Sequence, residues 1–324
     1  MKTYAPILIV TYSRISHLKE CIESLKQCPE AIYSDLFVAL DFPKRPQDEA
    51  GNLDIQNYVA KLSGFKSINL IKREENYGGR RNYFDARSKI LETYDTIITT
   101  EDDNVFSNKF LSYMNKALTL FKNREEIFAI TGYNDDVVIP NWYKENIYFR
   151  QGCCMWGVGF WKEKLESVDW DMRLFNERLK NKNNLQKVKK FHLKAIPQLL
   201  RMRDNGNFQS DGFLFLYLIS TGKFCVYPSL SLVRNIGHDG SGLHCGVNEK
   251  YQNQKINEEI NSLEFNENST QFNIELQKSI SKQLDGSLSK RIRVLSLLYP
   301  SWVKNITYFF LDNSQLFYRK LIKS

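Results

Sequence analysis

No apolar run in this 324-residue chain approaches the ~20 residues that a membrane-spanning helix requires. The longest, residues 213–219, is far too short. A leader is not expected either, because Met1-Lys2-Thr3-Tyr4 passes at once into Pro6-Ile7-Leu8-Ile9-Val10, which reads as a core strand. Six cysteines are too few and too scattered for a disulfide framework, and only Cys153-Cys154 are adjacent. No CxxC or Cys/His spacing suits zinc. Reduced thiols in the cytoplasm are the expectation. Acids are missing from residues 178–203, which hold nine Lys/Arg, and nearly so from 286–324, with seven Lys/Arg and only Asp312. The net charge of +8 therefore sits in two basic segments, and the remainder carries −7. Such segments suit solvated helix faces, an anionic membrane surface or nucleic acid. No nucleic-acid recognition motif accompanies them, so nucleic acid is not an expected partner.

Hydrophobic residues make up 42% and aromatics 13%, enough for a substantial core. No internal repeat is visible. The first ~130 residues alternate strand and helix signals in the way that builds a mostly parallel sheet flanked by helices, an α/β fold. Residues 7–11, 36–40, 68–71, 96–100 and 127–131 read as strands. Apolar residues at helical spacing fall between them, with Ser16 as the expected N-cap of the first helix. The second half is less regular. Residues 152–161, rich in Gly and aromatics, read as a packed loop, and residues 178–203 as helical. Asp211 precedes an expected helix over 213–220. Residues 235–246 form an irregular Gly-rich loop, and 248–273 a loosely ordered stretch.

The densest signal is Glu101-Asp102-Asp103, directly after the β-branched run Ile97-Ile98-Thr99-Thr100. Adjacent carboxylates at a strand end repel one another unless a positive charge neutralises them. A divalent cation carrying a diphosphate would do so through hard oxygen ligands. The other reading is a helix N-terminus, where acids complement the dipole. Ser107 is the better cap for the following helix. Ligands of open α/β sheets bind beyond the carboxyl ends of the strands. Thr11, Ser13 and Arg14, Asp41, Arg80 and Arg81, and the acidic triplet all fall there.

Taken in order, Leu8-Ile9-Val10-Thr11-Tyr12-Ser13-Arg14, Asp41, Tyr77-Gly78-Gly79-Arg80-Arg81 and Glu101-Asp102-Asp103 resemble a GT-A (Rossmann-like) glycosyltransferase. The pattern is similar to N-acetylglucosaminyltransferase I and to the bacterial family-2-like sugar transferases of surface polysaccharide synthesis. Met155-Trp156-Gly157-Val158-Gly159-Phe160-Trp161, Ser210-Asp211-Gly212, Tyr227-Pro228-Ser229-Leu230-Ser231 and the segment from Asn235 to Gly242 extend it over residues 5–247. The resemblance implies an inverting, metal-dependent transfer from a UDP-sugar, UDP-GlcNAc in the nearest family, to a glycan hydroxyl. Mn²⁺ or Mg²⁺ would be the cofactor. Asp41 would accept the uracil imide N–H. Arg14 would pair with the diphosphate, Thr11 would line the donor site, and Arg80 or Arg81 would lie by the base or phosphates. Asp102 would hold ribose or sugar hydroxyls, and Asp103 would bind metal, with Glu101 and His244 as further candidate ligands. Asp211 would be the general base, although it could equally cap the helix after it. An aromatic commonly follows that base in relatives, whereas Gly212 follows here.

The expected organisation is a transferase domain over 1–247, with a donor half of 1–135 and an acceptor half of 136–247, then a linker and basic amphipathic helices over 248–324. His238 and His244 lie in the Gly-rich loop and read either as ligands on loop closure or as surface histidines. In the tail, Arg291, Arg293, Lys304, Arg319, Lys320 and Lys323 alternate with Leu295, Leu298, Trp302, Tyr308, Phe309, Phe310 and Phe317, and Pro300 divides it. That mixture suits an anionic membrane surface, useful to an enzyme with a lipid-linked acceptor at the inner face of the cell membrane, or a helical pair folded onto the domain. Two other functions share parts of the pattern. A sugar nucleotidyltransferase should carry a Gly-rich phosphate loop after the first strand, and Thr11-Tyr12-Ser13-Arg14 has none. A glycan-binding protein without catalysis should have lost Asp103 or Asp211, and both are present.

Overall fold

The computed structural model describes residues 4–242, 246–256, 265 and 271–321, with side chains as far as Leu311. The chain divides into two compact units. The first comprises residues 1–136, 144–169 and 222–272. It holds the strands β1 (Ile7–Thr11), β2 (Asp35–Leu40), β3 (Ser67–Lys72), β4 (Thr96–Glu101), β5 (Asn104–Phe106), β6 (Ile127–Thr131), β7 (Ile147–Arg150), β8 (Val158–Trp161), β9 (Phe224–Pro228) and β10 (Val233–Asn235). Its helices are α1 (Ile15–Lys26), α2 (Pro46–Val59), α3 (Gly78–Leu91), α4 (Phe110–Leu120), α5 (Lys162–Glu166) and the short 249–252 turn.

Eight strands form one sheet in the order β3-β2-β1-β4-β8-β6-β9-β7, and β5 and β10 pair separately. β1, β2, β3 and β4 run parallel, as do β6 and β9. Only β8 and β7 run against the rest. This is a mixed α/β architecture with a large, mostly parallel sheet. Strand alternation feeds two layers. Ile7 and Ile9 of β1 join the main core with Leu18, Cys21, Ile22 and Leu25 of α1, Ile55 of α2 and Met114 of α4. Leu8 faces the other way, and α3 lies against β1, β2 and β4 through its own buried Ala86 and Ile90.

Several local features depart from the sequence reading. Residues 152–161 are not all loop, because Val158–Trp161 is a strand threaded between β4 and β6. Gly159 packs tightly there, since a Cβ would meet Met114 Cε at 2.9 Å and push that side chain aside. Trp161 is buried and donates its indole N–H to Leu118 O at 3.0 Å. The first helix starts at Ile15, and no side chain caps it, so Ser16 lies inside its first turn. Parts of the expected loose stretch are anchored in this unit. Buried Gln254 donates to Asn134 O at 2.7 Å, and buried Phe265 stacks on Phe121.

The second unit comprises Val137–Tyr143, Trp170–Thr221 and Asn273–Ser324. Among the described residues it is helical: α6 (Met172–Lys180), α7 (Lys182–Phe191), α8 (Ile196–Asn205), α9 (Ser210–Thr221), α10 (Ile274–Asp285), α11 (Leu288–Ser296) and α12 (Ser301–Leu321). The basic 178–203 stretch is therefore three helices. Asn181 ends the first and caps the second by accepting from the N–H groups of Asn183 and Asn184, and Pro197 opens the third. Phe213 centres the core of this unit, with Trp170, Phe208 and Phe175 at ring distances of 5.3, 5.4 and 5.9 Å. No described helix is long and apolar enough to cross a membrane.

Candidate functional site

The order β3-β2-β1-β4 means that the chain leaves β1 to one side for β2 and β3, then returns to its other side for β4. Such a reversal opens a crevice at the carboxyl edge of the sheet, where ligands of this architecture bind. β1 delivers Thr11 and Arg14 there, and β4 delivers Asp102 and Asp103.

These four residues form one cluster. Thr11 Oγ1 donates to Asp102 Oδ2 at 2.7 Å. Arg14 Nη2 donates to Asp102 Oδ1 and, at 2.8 Å, to Asp103 Oδ2. Both aspartates are buried, whereas Glu101, the last residue of β4, is exposed. Burial pushes the Asp102 carboxyl above its ordinary value, and although Arg14 opposes the rise, neighbouring Asp103 adds to it. Burial also opposes the charge on Arg14, but the two carboxylates outweigh it and leave the guanidinium more basic than usual. The second terminal nitrogen, Arg14 Nη1, is buried with no hydrogen-bond partner. An unsatisfied cationic donor beside two carboxylates is costly unless an anion meets it.

A second set of residues fixes Asp103, and it comes from the 235–242 segment, to which the sequence reading assigned no such role. β10 pairs with β5, so that Asn235 lies opposite Asn104. Buried Asn235 donates through Nδ2 to Asp103 Oδ1 at 2.8 Å and to Asn104 Oδ1 at 3.1 Å. Its own Oδ1 accepts from Gly237 N at 3.0 Å, and Ile236 N donates to Asp103 O at 2.8 Å. Gly237 passes so close that a Cβ there would meet Asp103 Oδ2 at 2.1 Å. Further along, His17 Nε2 on α1 lies 3.1 Å from Asp239 Oδ2. His238 stacks on Tyr251 at 4.3 Å between ring centres. His244 lies outside the described residues.

The neighbouring strands complete the rim. Asp41 follows β2 and is buried. Its Oδ1 accepts from the backbone N–H groups of Phe42 at 3.0 Å and Tyr77 at 2.8 Å, and Asn76 Nδ2 lies 3.3 Å from its Oδ2. Buried Asn52 of α2 clamps the backbone on both sides, donating to Tyr12 O at 3.0 Å and Asp41 O at 2.8 Å. Arg73, which the sequence reading missed, follows β3. It is buried, bonds Asn82 Oδ1 at 2.8 Å and pairs with Asp85. Arg80 and Arg81 are exposed on the first turn of α3. Arg81 lies 3.6 Å over the Tyr77 ring and pairs with Glu75 at 3.0 Å, and Arg80 lies 5.8 Å over Phe84. A single buried Asn or Arg makes no local pattern, so no sequence signal could have singled out Asn52 or Arg73.

Asp211 belongs to the helical unit. It is exposed in the first turn of α9, which begins at Ser210 and not at 213. Its Oδ1 accepts from Gly212 N at 2.8 Å and from Gln198 Nε2 at 3.1 Å. Gly212 admits no larger residue without movement, because a Cβ would meet Met202 Sδ at 2.5 Å.

The donor set at Asp102 and Asp103 fits a hard divalent cation in kind, being carboxylate oxygen on a rigid edge. The described residues contain no group of three or more His, Cys, Asp or Glu able to hold a metal unaided. The rest of such an ion's shell would come from ligand phosphate oxygens and water, the usual arrangement for Mg²⁺.

No protein-family profile matches this chain, and no characterised protein matches it by sequence. Many solved structures are similar to parts of it, and three illustrate the likeness. The mannosyltransferase PcManGT from Pyrobaculum calidifontis, in complex with GDP-Man and Mn²⁺, is 11% identical over 67% of this chain and 71% of that one, with a TM-score of 0.39. TarS from S. aureus is 14% identical over 43% of this chain and only 23% of its own length, with a TM-score of 0.29. The 1–349 portion of TarS is 11% identical over 70% and 58%, with a TM-score of 0.35. Scores this low mark partial overlap, and the functional reading below rests on the residues themselves.

Proposed function

We propose that this chain is a metal-dependent glycosyltransferase that moves a sugar from a nucleoside diphosphate to a glycan hydroxyl. The observation that carries the reading is the Arg14–Asp102–Asp103 cluster at the sheet's reversal point, with Arg14 Nη1 buried and unsatisfied. Carboxylates suit a divalent cation, and a spare guanidinium nitrogen beside them suits phosphate. One ligand, a metal-bound diphosphate, satisfies both.

Within this reading the donor is a UDP-sugar, UDP-GlcNAc first among the candidates, and the transferred group a hexosyl unit. Asp103 binds Mn²⁺ or Mg²⁺, which would act as a Lewis acid on the departing diphosphate. Thr11 and Asp102 shape the floor, and Asp102 takes ribose or sugar hydroxyls. Arg14 turns from the carboxylates toward the phosphates. Asp41 and the Arg80–Arg81 turn serve the nucleobase end. Asp211 is the general base: the acceptor oxygen bonds to the anomeric carbon, the bond from that carbon to the diphosphate oxygen breaks, and the acceptor proton passes to the carboxylate. Attack from the face opposite the leaving group inverts the anomeric centre. Residues 1–135 would supply the donor half and 136–247 the acceptor half. The acceptor is a lipid-linked glycan of surface polysaccharide synthesis at the inner face of the membrane.

The test is turnover on a panel of UDP-, GDP-, CMP- and dTDP-sugars with Mn²⁺, with Asp103→Ala and Asp211→Asn as comparisons. The expected result is slow hydrolysis of one UDP-sugar, abolished in Asp103→Ala. Failure of every nucleotide to bind or turn over would end the transferase reading and favour a glycan-binding protein.

A further inference from the structure

The C-terminal helices show their apolar residues to water. α11 and α12 meet through their half-buried sides, where the Arg293 guanidinium lies 5.0 Å over the Tyr308 ring. The other side of α12 presents Trp302, Ile306, Phe309 and Phe310 with exposures of 65, 49, 64 and 66%. Their spacing of i, i+4, i+7 and i+8 is one face of an α-helix. Tyr299, just before Pro300, is exposed as well. Stripes of large apolar residues on a protein surface mark a place where something docks. The two helices pair, and the aromatic face is left outside the pairing.

The chemistry of the face narrows its occupant. Residues 286–324 carry seven Lys/Arg against one acid. A second copy of this chain would bring the same positive charge to the contact, and like charges across an interface are unfavourable. An anionic surface is attracted instead. Trp, Tyr and Phe are the residues that settle at a membrane–water boundary, where one end of the side chain is apolar and the other wet. The segment cannot cross a bilayer, since no described helix is long and apolar enough. A helix that presents an aromatic face amid cations, and is unable to span, has the properties of one that lies in the interface plane.

We propose that the Trp302–Ile306–Phe309–Phe310 face of α12 docks in plane on an anionic phospholipid surface, drawn to it by the excess of Lys and Arg in this segment. The inference does not depend on the donor site, and the two fail separately.

The experiment is vesicle flotation of the full chain with phosphatidylcholine alone and with phosphatidylcholine mixed with phosphatidylglycerol. Wild type is compared with Trp302→Ser/Phe309→Ser/Phe310→Ser and with Lys290→Gln/Arg291→Gln/Lys304→Gln. Sedimentation of the same samples without lipid gives the oligomeric state. Wild type should float with the anionic vesicles and partition about tenfold or more weakly to phosphatidylcholine alone. The aromatic variant should lose about tenfold or more of its partitioning to both. The charge variant should lose the anionic preference. All of the changed aromatics are exposed, so an unchanged thermal midpoint is expected in the aromatic variant. Three results would each overturn the proposal: no flotation of wild type with anionic vesicles, equal flotation of the aromatic variant, or a lipid-independent dimer that the aromatic variant abolishes. The last would assign the face to a second copy.

Discussion

The two units hold their carboxylates in opposite ways. In the sheet unit, Asp102 and Asp103 are buried, adjacent and already bonded to a guanidinium. In the helical unit, Asp211 is exposed, and its described hydrogen bonds come from a neighbouring glutamine and the next backbone N–H. Two buried like charges require a cation before the fold can close around them, so the first site is built into the stability of its unit. A solvated carboxylate on a first helical turn needs nothing of the kind. The contrast predicts that substitutions at the first site disturb folding and ligand binding together, while those at the second touch chemistry alone.

The sharpest way to break the comparison is Arg14→Met. It leaves two carboxylates buried without their partner and should cost ~3–5 kcal/mol in urea unfolding. Adding Asp102→Asn should restore part of that loss by removing one of the two charges. A small cost for Arg14→Met, or no rescue, would mean that the pair does not depend on its cation.

A second buried cation in the sheet unit checks whether the principle is general. Lys164 donates to the carbonyls of Phe121, Arg124 and Ile127 at 3.4, 3.0 and 2.8 Å and lies 3.9 Å over the Trp161 ring. Burial lowers its pKa to about 8 from 10.5. The unfolded chain therefore holds this proton more tightly than the folded one between those values, and stability should rise with pH across that window. Lys164→Met removes the ammonium donor from three carbonyls, although Phe121 O and Arg124 O still accept from the backbone N–H groups of Arg124 and Ile127 at 3.2 and 3.1 Å. It should cost ~1–2 kcal/mol near neutral pH and should abolish that rise. Urea midpoints measured from pH 7 to about 10.5 read both effects.

A smaller effect is expected at Asn235, which acts on Asp103 as a positioning residue. Asn235→Ala should cost ~1–2 kcal/mol in stability and weaken manganese-dependent nucleotide binding about tenfold. Asn235→Asp would place a third acid beside Asp103 and, through repulsion between carboxylates, should cost more stability than Asn235→Ala. Loss of stability with no change in the metal dependence of binding would reduce Asn235 to packing.

The smallest effect on folding belongs to Asp211→Asn, within ~0.5 kcal/mol of wild type. Donor binding should be unchanged, and transfer to acceptor should fall by about a hundredfold or more. A variant that unfolds, or that loses donor binding, would erase the distinction between the two sites.

What the sequence made legible follows the same division. The parallel strands of the first half could be read because each is a buried β-branched run followed by polar residues, and Asp102 and Asp103 stood out because acids directly after such a run need an explanation. β8 could not be read, because a four-residue strand built around Gly159 is dictated by the strands on either side of it and not by its own propensity. Asn52 and Arg73 were equally invisible, since each gains its role from tertiary partners, and the hold of Asn235 on Asp103, 132 residues away, could not be read from its own segment. The basic 178–203 stretch was legible as helix, but its breaks at Asn181 and Pro197 lie within the helical pattern and were read over.

The most direct test of the central claim is calorimetric titration of UDP into the wild-type chain and into Asp103→Asn, each with Mn²⁺ and with a chelator. The account predicts that wild type binds UDP through Mn²⁺, that chelation weakens binding about tenfold or more, and that Asp103→Asn loses this metal dependence. UDP binding that is equal with and without Mn²⁺, or unaltered by Asp103→Asn, would contradict it.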